Sequence, residues 1–335
     1  MSNFSLPTQR VHGGSDAFGV PHFDFSSNSN ACGPCPIAVE AIQHVDVSRY
    51  PDASYSALRQ QLAAFHGVKV QRVVLAASAS EFIFRITAVV ARRGKSGGQS
   101  VWIPPHAYGD YLHAAAAHGL NAVADPHDAD LFWACEPSSP LGAAHEDWQS
   151  GNYAVRVIDR AYEPLRLSGK VTLPDPQLQR FWQLYSPNKA LGLTGVRAAY
   201  AIAPLDCDID VMTMEQLCPS WPIGAHGVAM LQAWTQRDAQ AWLAASLNTL
   251  RDWKMQQLAL CESLGWSVLP SHANFFVCRW DQGADTLTGL RTHGIKLRDC
   301  ASFGLPDHVR LSVQPPAAQY ALRAALHRKR PANTC

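Results

Sequence analysis

The sequence carries little charge and lacks several features that would define its class at once. Charged residues make up 16% of the 335 positions, against about a quarter in ordinary soluble domains. The formal net charge is +1 and no block of lysine and arginine occurs, which argues against binding to nucleic acid or to an anionic membrane. This lack of a charged surface favours a small-molecule substrate. Because hydrophobic residues reach 47% while charged residues are few, we expect part of the neutral surface to be covered by another subunit.

Long apolar runs and cysteine patterns are also missing. No stretch of about 18 apolar residues occurs, and residues 1–10 are polar, so we predict a soluble, cytoplasmic protein. The 9 cysteines are odd in number and scattered, which predicts reduced thiols. Cys32 and Cys35 have redox-motif spacing but do not follow a βαβ unit, and the 14 histidines show no ligand spacing with cysteine. We therefore expect neither a redox pair nor a metal site.

Short β-prone runs alternate with helix-length segments in the first two thirds of the chain, without internal repeats. This alternation predicts a largely parallel sheet. The predicted strands are residues 73–75, 101–104, 131–135, 154–159, 181–185 and 198–202, and the predicted helices are residues 56–66, 81–92 and 230–264.

The pattern changes after residue 264. Strands are predicted at residues 267–269, 274–280, 295–297 and 308–313, with helices at 284–293 and 318–328. The segment before residue 45 is rich in Gly, Ser and Pro, which suits an arm or an ordered loop more than a core element. We therefore predict an arm and part of a small domain at residues 1–45, a large domain at 46–235 and a small α+β domain at 236–335.

The most informative segment runs from Ser186 to Arg197. It reads Ser-Pro-Asn-Lys-Ala-Leu-Gly-Leu-Thr-Gly-Val-Arg and directly follows a predicted strand. An isolated lysine is usually a solvated surface residue. Lys189 instead lies among small residues between two strands, which favours a role in a site.

This segment resembles the cofactor-lysine signature of class I/II aminotransferases. It is most similar to the branch of histidinol-phosphate aminotransferases and threonine-phosphate decarboxylases, and the resemblance covers His12 to about Leu326. The resemblance implies the aspartate-aminotransferase-like α/β fold, with a mostly parallel seven-stranded sheet in a large domain and a smaller α+β domain. It also implies that pyridoxal 5′-phosphate (PLP) is held as a Schiff base on Lys189.

Further segments occur in the family's order, and they imply contacts with the cofactor phosphate. Ser78, Ala79 and Ser80 stand at a strand-to-helix turn, where a helix amino terminus presents unpaired N–H groups to an anion. An ordinary serine cap of the helix would leave the same pattern. The resemblance adds Ser186 and Arg197 to this phosphate-binding group.

The resemblance also assigns residues around the cofactor ring. Asp159 ends a β-branched strand and is implied to pair with the ring nitrogen, which keeps the ring an electron sink. Tyr108, in a Pro-Pro-His-Ala-Tyr segment, is implied to stack on the ring. Tyr162 is implied to reach the phenolic oxygen, where Ser139 stands in place of the family's asparagine.

Substrate and subunit contacts are implied at four positions. Arg310 matches the family's carboxylate arginine, and Arg298 is the candidate for a second substrate anion. Asn30 belongs to a segment similar to the substrate mouth, although Ser29, Ala31 and Cys32 depart from the family pattern. Tyr50 is implied to reach the phosphate of a neighbouring active site, which requires a homodimer.

These features predict a PLP-dependent aminotransferase of amino-acid biosynthesis that acts on an amino acid or an amino-phosphate. The alternative is a threonine-phosphate decarboxylase-like enzyme of cobalamin biosynthesis, favoured by His12-Gly-Gly and by the segment at Arg298. A third hypothesis is a binding protein that kept the fold and lost turnover, suggested by Ser139 and the altered mouth. A yellow colour of the purified protein that is lost in Lys189→Ala would separate both enzymes from this last hypothesis.

Overall fold

The computed structural model describes residues 12–94, 98–146, 148 and 155–328. The polar amino terminus and the first residue of the predicted strand 154–159 lie outside the described residues. In chain order the strands are β1 (Phe23–Asp24), β2 (Val73–Ala76), β3 (Ser100–Trp102), β4 (Asn121–Ala122), β5 (Leu131–Cys135), β6 (Val155–Asp159), β7 (Trp182–Tyr185), β8 (Ala199–Ile202), β9 (Phe275–Arg279), β10 (Ile295–Lys296), β11 (Arg298–Asp299) and β12 (His308–Ser312). The α-helices are α1 (Pro36–Gln43), α2 (Ser56–His66), α3 (Ala79–Ala91), α4 (Gly109–Ala117), α5 (Asp175–Leu178), α6 (Asp208–Gln216), α7 (Ala225–Trp234), α8 (Arg237–Ser263), α9 (Gly283–Thr292) and α10 (Pro316–Arg328).

A seven-stranded sheet forms the centre of the described chain. Its order is β2-β8-β7-β6-β5-β3-β4, and only β8 runs antiparallel to its neighbours. Strands β2, β5, β7 and β8 are buried at every residue, as expected when helices cover both faces of a parallel sheet. This confirms the predicted fold class.

The carboxyl-terminal third forms a smaller sheet of order β11-β12-β9, in which all pairs are antiparallel. Strand β1 pairs with β10, so the amino-terminal segment joins this part of the molecule. The segment before residue 45 was predicted to contribute no core element, and this is wrong in one respect. Phe25 and Cys35 are fully buried, and α1 begins directly after Cys35. The three-part domain division stays a prediction.

Two other sequence predictions differ from the structure. The predicted helix 230–264 is broken into α7 and α8, because Gln236 has an extended backbone and the Gln240 side chain donates to the Trp234 carbonyl at 2.6 Å. Neither glycine nor proline marks this break in the sequence. The predicted strand 267–269 makes only an isolated bridge between Val268 and Cys278.

The part of the chain that the structure describes holds neither a membrane-spanning helix nor a cluster of metal ligands. No helix in the described part is both long and apolar enough to span a bilayer. The described residues contain no group of three or more His, Cys, Asp or Glu side chains placed to hold a metal ion. Cys32 and Cys35 are free thiols.

His66, a half-buried histidine at the end of α2, should make the free energy of unfolding depend on pH. His66 Nε2 lies 2.8 Å from the Tyr200 hydroxyl, and burial, helped by Arg160, lowers the His66 pKa to about 4. Because the folded-state pKa lies below the unfolded value, His66 should cost stability as pH falls below about 6.5, reaching about 2 kcal/mol by pH 5. The melting-temperature difference between the native protein and His66→Phe should narrow between pH 7 and pH 5. The exposed His44→Phe variant is the control for loss of a surface imidazole. A melting-temperature difference for His66→Phe that stays constant between pH 7 and pH 5 would contradict the assignment.

Candidate active site

Polar side chains converge at one edge of the seven-stranded sheet. Asp159 ends β6, and Lys189 follows β7, which runs parallel to β6. Strand β8 is antiparallel to β7, so Arg197, two residues before β8 begins, returns to the same edge. Ligands of open α/β sheets bind at the carboxyl ends of the strands, and this topology gathers the predicted groups there.

The turn that carries Lys189 is held by the amino-terminal segment. Asn30 N–H donates to the Lys189 carbonyl at 2.9 Å. Gly192 has a φ of +69°, and a Cβ there would lie 2.5 Å from the Gly33 carbonyl oxygen, so only glycine allows this approach. The Lys189 amine donates to Ser186 Oγ at 3.2 Å and lies 5.4 Å from the centre of the Tyr162 ring.

The side chain of Asn30 is placed differently from the sequence prediction. It is buried, and its amide nitrogen donates to the Ala190 carbonyl at 3.0 Å and to Ser246 Oγ at 2.8 Å. It does not line the cavity. The Asn30 amide nitrogen is therefore used inside the protein, where it braces the turn that carries Lys189, and the substrate contact stays a prediction.

Asp159 is a buried carboxylate with two fixed donors. Its Oδ1 accepts from the Ala161 N–H at 2.9 Å, and its Oδ2 accepts from the Tyr111 hydroxyl at 2.8 Å. Burial raises the pKa of Asp159, while the charge of Lys189 acts in the opposite direction. A cationic group placed beside Asp159 would therefore favour its ionised form.

Tyr111 is a site residue to which the sequence analysis assigned no role. It lies in the first turn of α4, three residues after Tyr108, and it stacks on Trp133 with ring centres 4.4 Å apart. Burial raises its pKa well above the usual value, so it remains a donor. Its position in the same segment as Tyr108 was the only available signal in the sequence.

The amino end of α3 and Arg197 line the same cavity and are the predicted phosphate-binding group. Ser78 caps the helix by accepting from the Glu81 N–H at 3.1 Å, which confirms the capping interpretation and leaves the first helical N–H groups of Ala79 and Ser80 directed out of the helix. Ser80 Oγ lies 3.1 Å from the Tyr108 hydroxyl. Arg197 is exposed and has no hydrogen-bond or ion-pair partner among the described residues.

Two arginines face the cavity from neighbouring strands. Arg298 on β11 pairs directly with Arg310 on β12, and both are buried. Burial lowers the pKa of each, and Arg310 lowers that of Arg298 further. Like charges directly opposite each other on a sheet are destabilising, so an anionic ligand would relieve this pair.

The two guanidinium groups are held separately. Arg310 donates to Ser139 Oγ at 3.2 Å and to the Ser26 carbonyl at 3.0 Å, and its Nε has no partner among the described residues. Arg298 donates to Ser302 Oγ at 2.8 Å. Ser139, predicted beside the cofactor's phenolic oxygen, therefore supports Arg310 in this structure.

One cavity of about 780 Å³ gathers most of the predicted residues. Those that line it are Ser78, Ala79, Ser80, Tyr108, Ser139, Asp159, Tyr162, Ser186, Lys189, Arg197, Arg298 and Arg310. Tyr50 does not line it: it is 79% exposed and stacks on Trp221 with ring centres 4.5 Å apart. The lining also includes Asn28, whose amide nitrogen donates to the Tyr162 hydroxyl at 3.2 Å and which the sequence analysis left without a role.

The chain has relatives among proteins of known family. The aminotransferase class I and II family matches residues 20–326. Histidinol-phosphate aminotransferase 1 of Thiobacillus denitrificans is 27% identical over 323 residues, which are 86% of this chain and 80% of that protein.

Solved structures show the same fold. The histidinol-phosphate aminotransferase of Sinorhizobium meliloti, in complex with pyridoxal-5′-phosphate, matches with a TM-score of 0.75 and 21% identity over 90% of this chain and 88% of its own. The L-threonine-O-3-phosphate decarboxylase of Porphyromonas gingivalis matches with a TM-score of 0.74 and 20% identity, over 91% of this chain and 98% of its own.

Proposed function

Because the chain belongs to the aminotransferase class I and II family, we propose that it transfers the amino group of an amino acid or amino-phosphate of the histidinol-phosphate type. It is a PLP-dependent aminotransferase. Bound PLP supplies an electron sink that stabilises negative charge at the substrate's Cα. The substrate type and the residue roles that follow are our inference from the site.

The cavity fits this cofactor at both ends. At one end, Arg197 and the amino end of α3 offer positive charge and N–H groups to a phosphate. At the other end, the buried Asp159 offers a carboxylate to a protonated ring nitrogen. The residues that would hold the cofactor are Ser78, Ala79, Ser80, Tyr108, Ser139, Asp159, Tyr162, Ser186, Lys189 and Arg197.

Lys189 has the position for proton transfer. Its amine projects into the cavity from a rigid turn, next to Ser186 Oγ and the face of Tyr162. Lys189 would hold the cofactor, and its free amine would take the proton from the substrate's Cα. Tyr108 would lie against the ring, with its hydroxyl kept protonated because burial raises its pKa.

The arginine pair on β11 and β12 carries the substrate proposal. Arg310 would bind the α-carboxylate or an equivalent anion through its planar fork, and Arg298 would bind a second anion such as a phosphate or distal carboxylate. Two buried cations in cross-strand register are the single observation on which this assignment depends. A substrate with two anionic groups would neutralise both.

Product analysis tests the reaction. Purified protein incubated with amino donors and 2-oxoglutarate should form glutamate, with phosphorylated and dicarboxylic donors used better than neutral ones. Decarboxylation of a phosphorylated amino acid is the second candidate, because the Arg298-Asp299-Cys300 segment resembles that of the threonine-phosphate decarboxylases and the same arginine pair would bind its two anions. Release of CO₂ without an oxo-acid product would establish that candidate and overturn amino transfer.

We also propose a cytoplasmic homodimer in which Tyr50 reaches the active site of the neighbouring subunit. Tyr50 and Trp221 form an exposed aromatic pair outside the chain's own cavity, and Trp221 Nε1 donates to the Pro51 carbonyl at 3.1 Å. Trp221 adopts a φ of 51°, a costly backbone conformation for a residue other than glycine. An exposed aromatic pair held in this conformation supports a contact with a second subunit.

Mixing two defective variants should restore activity if Tyr50 acts across subunits. Tyr50→Ala should weaken cofactor binding by about tenfold or more, because a hydrogen bond to a charged phosphate is lost. Subunits of Tyr50→Ala and Lys189→Ala, once exchanged, should form one complete site per mixed dimer and exceed the summed activity of the separate variants. Tyr320→Ala, which removes another exposed tyrosine, should behave like the native protein. Failure of the mixture to gain activity would place Tyr50 outside the site.

A further inference from the structure

A short turn covers the two cavity arginines from the side of the smaller sheet. The 3-10 turn Ala301–Phe303 follows β11. The Phe303 ring centre lies 4.8 Å from Cζ of Arg298 and 5.7 Å from Cζ of Arg310, and Ser302 accepts a hydrogen bond from Arg298. The turn therefore contacts both cations.

A histidine from the large sheet holds this turn. His106 follows β3 and its Nδ1 lies 2.8 Å from the Phe303 carbonyl oxygen, across 197 residues of sequence. Since a carbonyl only accepts, Nδ1 must carry the proton. A Cβ at Gly304, whose φ is +74°, would lie 3.7 Å from His106 Nδ1. This contact joins the turn to the segment that carries Tyr108, although His106 itself does not line the cavity.

We infer that His106 is a positioning residue for substrate specificity: by fixing the Ala301–Phe303 turn, it holds Arg298 at one distance from Arg310 and selects ligands with two anionic groups. The inference rests on the proposed function, because it concerns the arginine pair to which the substrate is assigned. His106 acts through the turn and makes no contact with the substrate.

The two arginines depend on this turn to different degrees. Arg310 is also bonded to Ser139 and to the Ser26 carbonyl, which lie outside the turn. Arg298 donates to Ser302, which lies within the turn, and to the Asp299 carbonyl just before it. Repulsion from Arg310 would push Arg298 away when the turn loosens. Loss of the His106 bond should therefore weaken the binding of a second anion and spare the first.

Equilibrium binding of two unreactive ligands measures this difference. Succinate carries two carboxylates and propionate one, and calorimetric titration of the holoenzyme gives the dissociation constant for each. In His106→Leu, succinate binding should weaken by about three- to tenfold, the range of one hydrogen bond, while propionate binding changes less than about twofold. His106→Asn, which keeps a donor near Nδ1, should recover most of the preference.

A matched control and a second variant complete the test. His293 also places Nδ1 against a carbonyl oxygen, at 2.7 Å from that of Gly289, but lies exposed at the end of α9; His293→Leu should bind both ligands like the native protein. Phe303→Leu should also lose the preference for succinate over propionate, because it changes the turn directly. If His106→Leu does not fold, this variant tests whether the turn sets that preference. Equal weakening of both ligands, or unchanged succinate binding, overturns the inference.

The binding assay also separates this inference from the proposed reaction. Succinate preference that depends on His106, in a protein that forms no glutamate from any donor, would refute amino transfer and support the role of His106. Glutamate formation by the native protein, together with an unchanged preference for succinate in His106→Leu, would support amino transfer and refute the role of His106.

Discussion

Replacing Lys189 with alanine should remove the visible absorption band of the purified protein and reduce amino transfer by at least about a thousandfold. The band depends on the bond between the lysine and the cofactor, and the same amine is the proposed base at Cα. The structure places this amine at the cavity wall beside Ser186, on a turn held by Asn30 and Gly192. Absorption spectra and initial rates of the two proteins test both effects.

A second buried lysine provides the control. Lys254 donates to the carbonyls of Ser271 and Ala273 at 2.7 and 2.8 Å, and burial lowers its pKa to about 8. Lys254→Met should lower the melting temperature and keep the absorption band. Native activity in Lys189→Ala would refute the assignment. A colourless native protein would instead favour the hypothesis of a binding protein without turnover.

The Asp159→Asn variant should fold and bind the cofactor but turn over about two to three orders of magnitude more slowly. Asparagine has the same size and can still accept from the Ala161 N–H. It lacks the negative charge that would keep a ring nitrogen protonated, so the cofactor loses strength as an electron sink. The measurement is kcat, together with the position of the visible band.

A neighbouring substitution separates charge from hydrogen bonding. Tyr111→Phe removes only the donor to Asp159 Oδ2 and leaves the carboxylate in place. Its effect on kcat should stay within about tenfold, the range of one hydrogen bond. If Tyr111→Phe and Asp159→Asn slowed turnover equally, the charge of Asp159 would not be the important property.

Local patterns in the sequence were enough to predict the main elements and the order of the site segments. Helix α2 and strand β5 lie where the spacing of apolar residues placed them, because burial periodicity is a local property of each element. The strand-end positions of Asp159 and Lys189 followed from the same patterns. In a parallel sheet, all such ends meet at one edge, so the gathering of these groups could be predicted without coordinates.

Other features depended on contacts between distant parts of the chain. The direction of the Asn30 side chain is set by Ala190 and Ser246, the partnership of Tyr111 by Asp159, and the link from His106 by Phe303. No local pattern records such pairings, since each joins segments far apart in the chain.

The sequence by itself determined the family and the mostly parallel sheet, and it predicted Lys189 as the cofactor lysine. Only the tertiary structure decided that Arg298 and Arg310 stand opposite each other on neighbouring strands, because strand register arises from packing between segments and not from either segment alone.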